Sequence, residues 1–494
     1  MSKFADIHCH TSLHPFAYDY VGKKKNENVW DYDPPKPRQR KSTFPEFTQA
    51  DFRTMAKGGV KLAFVSIYPI EQGWFNPRIL GDRDASDILA RIIAKLPIRF
   101  VNEVQSADFR YFDFFFREYH YLLEENTMPH EVDGEVYRYI IIKPGDDMDA
   151  ILEMENTIGV ILTVEGAQSL MPANAEMINS NTFNMDQFLL HIYDVKSWDY
   201  PPFFVSMAHH FNNGLCGHAK SFPGIAGFLL DQAKGMDEGI NDNGWEVLDC
   251  LLGLGEFEGN GPRILIDTKH MSIRSRQQYY QMIAAHNETH DDAGKIPIVV
   301  SHTGYSGHAT MEEAIQEPDS DDKYDASGTL NNWSINLCDD EIIHIFNSNG
   351  LMGLNFDERI LSGKRVMNDY DDRFKKKDIR NRTMEVQIFW AQQMLNNILG
   401  IVKAVVYSGQ VDATAKVRIW DMISIGTDFD GMINAVDAYI TAEEFIDLRN
   451  ILEMIMPEQD NIGHLLQGLT VEQALDKIMY ENAYRFAKNH YKDH

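Results

Sequence analysis

Two histidines one residue apart, His8 and His10 in "FADIHCHTSLHP" (residues 4–15), follow directly on a short apolar run. Side chains two apart on a strand share a face, so both imidazoles point one way while Cys9 turns into the packing. An H-x-H pair alone fits two hydrogen-bonded histidines as well as two metal ligands. It gains meaning from matching groups downstream: Glu165 in "VEGAQ", His209 in "MAHHFNN", His270 in "DTKHMS", His302 in "SHTGYSG" and Asp428 in "GTDFDG" each close an apolar run. Imidazole and carboxylate are the donor set that zinc and similar divalent ions favour, and a catalytic site keeps one coordination position for water. Two ions about 3.5–4 Å apart need a bridging anion, a role that a strand-end carboxylate such as Glu165 fits. Such a pair acidifies a bridging water toward neutrality. Asp428 is then placed to orient the hydroxide and to carry its proton to a leaving group.

These residues need a scaffold that gathers strand ends. Eight apolar runs recur in one format: "FADIHCH", "VKLAFVSIYP", "IGVILTVEG", "PFFVSMAHH", "RILIDTKH", "IPIVVSH", "GLMGLNF" and "MISIGTDFDG". Continuous rather than alternating hydrophobicity marks strands buried on both faces of a parallel sheet. Helical patterns fall between them at 146–156, 243–255, 275–286 and 339–350. Strand and helix alternating eight times predict an α/β fold, a (β/α)8 TIM barrel with long βα-loop insertions, as one domain over residues 1–494. The insertions fall at about 22–45, 303–335 and 357–385, where loops of this fold build the active-site rim or simply face solvent.

The formal net charge of −28 argues against nucleic acid and anionic membrane as partners. Neither a signal-peptide pattern at the N-terminus nor a run near the roughly 20 apolar residues of a membrane span is present, so the expected location is cytoplasmic. Cys9, Cys216, Cys250 and Cys338 lack C-x-x-C spacing, which suggests neither a disulfide framework nor a thiolate zinc site. The glycines of "GLGEFEGNG" (253–261) follow a helix and precede a strand, the reverse of a phosphate loop, and read as a turn. "KKK" at 23–25 and "RFKKKDIRNR" at 373–382 read as solvated faces. "FRYFDFFFREYHYLL" (109–123) reads as a helix packed on the barrel or on a partner subunit. His191, His218, His286, His290 and His308 lie off the strand ends and are set aside as ligands.

The order of these segments resembles the metal-dependent amidohydrolase superfamily, and within it the membrane (renal) dipeptidase family. The likeness runs through the first strand, "DDMDAILEMENTIGVILTVEGAQSL", "AHHFNN", "ILIDTKHMS", "PIVVSHTG", "IGTDFDG" and "LTVEQALDKIMYENAYRFAK", with unmatched chain between. It implies that His8 and His10 hold a first ion, that Glu165 bridges, and that His270 and His302 hold the second. It further implies a substrate-binding role for His209, preferred over His210, and an acid/base role for Asp428. The implied function is a binuclear metallohydrolase, with two divalent ions, zinc, and a metal-activated hydroxide that attacks an amide bond of a small molecule or short peptide; a homo-oligomer is left open.

Three departures qualify the likeness. His10 stands where the family's first-strand motif has aspartate. Ile335 falls near the family's carboxylate-binding arginine, with Arg359 or Lys364 as replacement cations. Asp357 occupies a position commonly aromatic. Two alternatives follow: a phosphoesterase of the class whose first strand also opens D-x-H-x-H-T, and a metal-binding barrel without catalytic activity.

Overall fold

A computed structural model describes residues 3–22, 28–30, 33–34, 47–75, 95–222, 230–317, 319 and 328–492. The strands in chain order are β1 (Phe4–Cys9), β2 (Val60–Ile67), β3 (His130–Val132), β4 (Glu135–Ile141), β5 (Thr157–Val164), β6 (Phe204–Ser206), β7 (Leu265–Asp267), β8 (Val299–Thr303), β9 (Leu351–Leu354) and β10 (Ile423–Ile425). Eight pair in the order β1-β2-β5-β6-β7-β8-β9-β10, every pairing parallel. The chain then closes on itself beyond the strand ends: Asp428 N donates to His8 O at 2.9 Å and His10 N to Phe429 O at 2.8 Å. The result is a (β/α)8 barrel, and the eight apolar runs of the sequence are its eight strands. Burial explains their format, since all eight residues of β5 are buried, as are all six of β1.

Two glycines make the barrel's closest approach possible. A Cβ on Gly353 of β9 or Gly426 after β10 would lie 1.9 Å from the Ser301 carbonyl oxygen. Only a residue without a side chain lets β8, β9 and β10 draw together at the level of His302.

The helices at 146–156, 243–255, 275–286 and 339–350 are present as Met148–Glu153, Asp242–Leu252, Ile273–Thr289 and Asp339–Asn347. The 253–261 glycines form the turn into β7, with Gly253 at φ +67° ending the helix in the left-handed conformation. The aromatic stretch is the helix Tyr111–Glu124, whose Phe115 stacks on Trp198 with ring centroids 5.5 Å apart. The insertion at 357–385 is largely helical rather than open loop: Glu358–Leu361, Lys364–Arg373 and Lys376–Arg380 precede the long helix Met384–Val406. Its lysines 375–377 are exposed, while Ile379 and Phe374 of the same segment anchor it in the core. Lys23–Lys25 and most of the 22–45 insertion lie outside the described residues, as does most of 317–328.

The hairpin β3–β4 was not among the expected strands. It attaches antiparallel to itself and parallel to β5 through Ile141↔Val160. Its Asp133-Gly134 turn, at φ +52° and +92°, is a strong local hairpin signal. Its half-exposed strands lack the continuous apolar format of the barrel. Among the described residues, no helix is long and apolar enough to cross a membrane.

A buried ion pair locks the layer of helices beside β7 and β8. Arg276 donates from Nε to Glu341 Oε1 at 2.5 Å and from Nη2 to Oε2 at 3.1 Å, and its remaining N–H groups reach Met271 O and Ser334 O. Breaking such a pair leaves an uncompensated buried charge. Glu341→Gln is therefore expected to lower stability by about 3–5 kcal/mol, read by urea unfolding followed by tryptophan fluorescence. A loss below about 1 kcal/mol, the worth of an exposed pair, would contradict this assignment.

Candidate metal centre

At the C-terminal mouth of the barrel the strand ends deliver their polar residues to one point. Glu165, 2% exposed, sits in the middle. Its Oε2 lies 3.0 Å from His10 Nε2 and 3.3 Å from His209 Nε2; its Oε1 lies 3.4 Å from His8 Nε2, 3.4 Å from His270 Nε2 and 3.7 Å from His302 Nε2. Asp428 closes the other side, with Oδ1 3.5 Å from His10 Nε2 and 3.8 Å from His8 Nε2, and Oδ2 3.8 Å from His302 Nε2. The expected residues His8, His10, Glu165, His209, His270, His302 and Asp428 are thus all brought together. Two groups of donors fit an ion each, His8–His10–Glu165–Asp428 and Glu165–His270–His302, and Glu165 belongs to both.

The donor chemistry fits divalent cations. His8 Nε2 and His10 Nε2 face each other at 3.2 Å, and His270 Nε2 and His302 Nε2 at 3.1 Å. Nitrogen pairs of this kind, converging on carboxylates, offer lone pairs to a cation rather than hydrogen bonds to one another. Burial pushes the Glu165 carboxyl up, but the fields of His209, His10 and His8 outweigh it and hold the group well below the usual carboxylate range. For His10, burial disfavours the charged form, yet Glu165 and Asp428 draw it to about 10. The carboxylates therefore demand positive charge between them, which a divalent ion held by His8, His10, Glu165 and Asp428 would supply in place of a proton. His270 and His302 are driven well below the ordinary imidazole range, first by burial and then by charged neighbours, which leaves them neutral as ligands must be.

Two buried aspartates, whose roles the sequence did not disclose, set these positions. Asp6 Oδ1 accepts from His8 N at 3.1 Å and Thr427 N at 3.0 Å, and Oδ2 accepts from Thr427 Oγ1 at 2.5 Å. Asp267 repeats the device across β7 and β8: Oδ1 accepts from Lys269 N at 3.1 Å and Ser301 N at 2.9 Å, and Oδ2 from Ser301 Oγ at 2.7 Å and Ser206 Oγ at 2.5 Å. Each carboxylate satisfies backbone donors two residues on and on the next strand, so neighbouring strand ends are fixed together. His270 and Asp428 hold left-handed backbones, at φ +66° and +63°. Each costs on the order of 1–3 kcal/mol and persists because the surroundings enforce it. Gly431 completes "DFDG", because a Cβ there would lie 2.1 Å from Asp428 Oδ1 and 2.8 Å from His10 Cδ2.

Strand alternation does not separate His209 from His210, since β6 ends at Ser206 and both lie in the loop beyond it. His209 reaches Glu165, whereas His210 lies against Trp74 and His270 with its Nδ1 unpartnered. Glu71, four residues past β2, was missed by sequence reasoning: its Oε2 accepts from His209 Nδ1 at 2.6 Å and its Oε1 from Phe211 N at 3.3 Å. A carboxylate just after an apolar strand was the only available signal. His191, His218, His286 and His308 are engaged with backbone carbonyls and belong to none of the clusters, and His290 stacks on His286.

A cleft of about 580 Å³, including space open to solvent, leads to the centre. Ile335 lines it, as does Arg359, whose Nε is held by both oxygens of Asp357 at 2.9 and 3.1 Å. Asp357 also caps the short helix Glu358–Leu361, which accounts for a carboxylate where an aromatic residue was expected. Lys364 is exposed and does not line the cleft.

No family model and no curated protein matches the chain. Among solved structures, it is similar to a metallopeptidase from Rhodobacter sphaeroides liganded with a phosphinate mimic of the dipeptide L-Ala-D-Ala, with a TM-score of 0.51 at 14% identity over 99% of each chain. It is likewise similar to the dipeptidase AC, a metallopeptidase, with a TM-score of 0.50 at 12% identity over 99% of each chain. At these identities the likeness is one of fold.

Glu71→Gln tests the orientation of His209. An acceptor is retained but the charge is lost, so any hydrolytic kcat/KM is expected to fall about 10–100-fold while bound metal, assayed by atomic emission, stays within error of wild type. Equal loss of metal and activity would show that Glu71 supports the whole centre instead.

Proposed function

We propose that the chain, as one barrel domain, is a binuclear metal-dependent hydrolase that uses two divalent ions, zinc, to cleave an amide bond in a small peptide-like substrate. The observation that carries this reading is the sharing of Glu165 between two donor groups, with its two oxygens divided among five imidazoles. The ions, when bound, supply Lewis acidity, polarising a scissile carbonyl and lowering the pKa of water.

The remaining roles fall to the chain's own residues. Asp428, raised by burial and by the nearby charge of Glu165, has the most exposed carboxylate of the centre, its side chain 13% accessible against 3% for Glu165. That opening lets its carboxylate take a proton from water and return it to a leaving amine. His209, fixed by Glu71, holds Nε2 3.3 Å from Glu165 Oε2 and is the residue we assign to orient a substrate oxygen. The apolar wall of Trp74, Phe222 and Ile335 limits water at the same place. The dipeptide mimic held by the Rhodobacter sphaeroides metallopeptidase supports a peptide-like class.

One observation favours the phosphoesterase reading: His209, His210 and His270 form a further histidine cluster of the sort that class requires. Metal analysis and a substrate panel separate the two. Zinc-reconstituted wild type is expected to hold two ions per chain and to hydrolyse dipeptides or acyl-amino acids. Glu165→Ala is expected to lose both metal pairing and turnover, and Cys9→Ser, whose thiol sits in packing against Phe64 O, to keep both. Asp428→Asn should lower kcat about 10²–10⁴-fold. Fewer than one ion per chain after reconstitution would sink the binuclear reading. Phosphoester turnover that survives Asp428→Asn, with no amide turnover, would establish the rival.

A further inference from the structure

Lys269 is a cation that the proposed chemistry leaves unused. It is 2% exposed, lines the cleft next to His270, and its Nζ is buried with no hydrogen-bond partner among the described residues. Its backbone is fixed on both sides, by the N–H bond to Asp267 Oδ1 and by the left-handed His270 that follows. The charged groups around it are Asp428, Arg276, Asp267 and Glu165. None neutralises it by contact: the oxygens of Asp267 accept from Lys269 N, Ser301 and Ser206, Glu165 faces imidazoles, and Arg276 is bound to Glu341. An ammonium buried in this way is costly unless an anion meets it. Arg359, the other Lys or Arg side chain lining the cleft, is already held by Asp357.

We propose that Lys269 anchors a carboxylate of the substrate at the floor of the cleft, beside His270, so that the site selects acid-bearing amides with an apolar side chain. A single compact ammonium suits one monoanionic group. The apolar surfaces of Trp74, Phe222, Ile335 and Ile360 receive the side chain. The word substrate rests on the hydrolase reading; the anion anchor does not.

The test is calorimetric binding of N-acetyl-L-leucine and its neutral amide, N-acetyl-L-leucinamide, to zinc-loaded protein. Wild type is expected to prefer the acid by at least about tenfold, the worth of a hydrogen bond to a charged group. In Lys269→Met the preference should fall to within about twofold through weaker binding of the acid, and Lys269→Arg should restore part of it. Lys269→Gln gives the same reading should the Met variant fail to fold, with zinc content and melting temperature as controls. An acid preference that survives in both neutral variants, or a wild type that binds acid and amide equally or binds neither, overturns the proposal. A protein with the Lys269-dependent preference that hydrolyses no amide keeps the anchor and loses the hydrolase reading; amide hydrolysis without that preference does the reverse.

Discussion

A carboxylate buried at the mouth of a barrel has to be compensated, and the C-terminal end of this molecule is organised around compensating Glu165. Five imidazoles from three strand ends and one loop converge on its two oxygens at 3.0 to 3.7 Å. In a low-dielectric interior no single neutral partner would suffice, and a half-satisfied set would be worse than an apolar core. The cluster is therefore all or nothing. This is why a parallel barrel suits it: only a closed ring of parallel strands brings carboxyl ends from β1, β5, β7 and β8 to one point without long loops.

Precision at that point comes from outside the donor set. Asp6 and Asp267 lie one layer below, each tying a donor-bearing strand to its neighbour through backbone N–H groups. For Asp6, burial outweighs the bonds to Thr427 and lifts the carboxyl to about 6, so its charge is retained against a desolvation penalty. The left-handed backbones of His270 and Asp428 add strain at the same level. Strain and buried charge of this kind persist only where the surrounding packing over-determines them, which the close approach of β8, β9 and β10 at Gly353 and Gly426 provides.

The sequence disclosed those parts whose physics is local. Strands buried on both faces read as continuous apolar runs, so all eight were legible, and a polar residue ending such a run is visible without knowing its partner. His8, His10, Glu165, His270, His302 and Asp428 were found in that way. Glu71 and Lys269 escaped because their meaning lies in what they face: Glu71 meets His209 from 138 positions away, and Lys269 is defined by the absence of a contact. The choice between His209 and His210 could not rest on strand periodicity, because the strand stops at Ser206. The helical character of 357–385 was hidden by its charge density, although its buried anchors Val366, Tyr370 and Phe374 recur four apart, as on one face of a helix.

The charge balance of the centre links its departures from the resembled family. With His10 in place of an aspartate, the donor set carries two carboxylates, Glu165 and Asp428, against whatever cations it holds. Asp357 and Arg359 pair with each other at the cleft, and Lys269 adds a positive charge that has no hydrogen-bond partner among the described residues. Two divalent ions, if held by such a set as proposed, would leave the cleft with a cation surplus, and field lines focused by apolar walls would extend it toward solvent. A surplus of that sign, inside a protein whose overall charge is −28, favours anions that can reach the floor of the cleft and disfavours cationic ones. The imidazole at His10 and the lysine at 269 both shift the centre toward positive charge, the sign that the proposed carboxylate anchor at Lys269 requires.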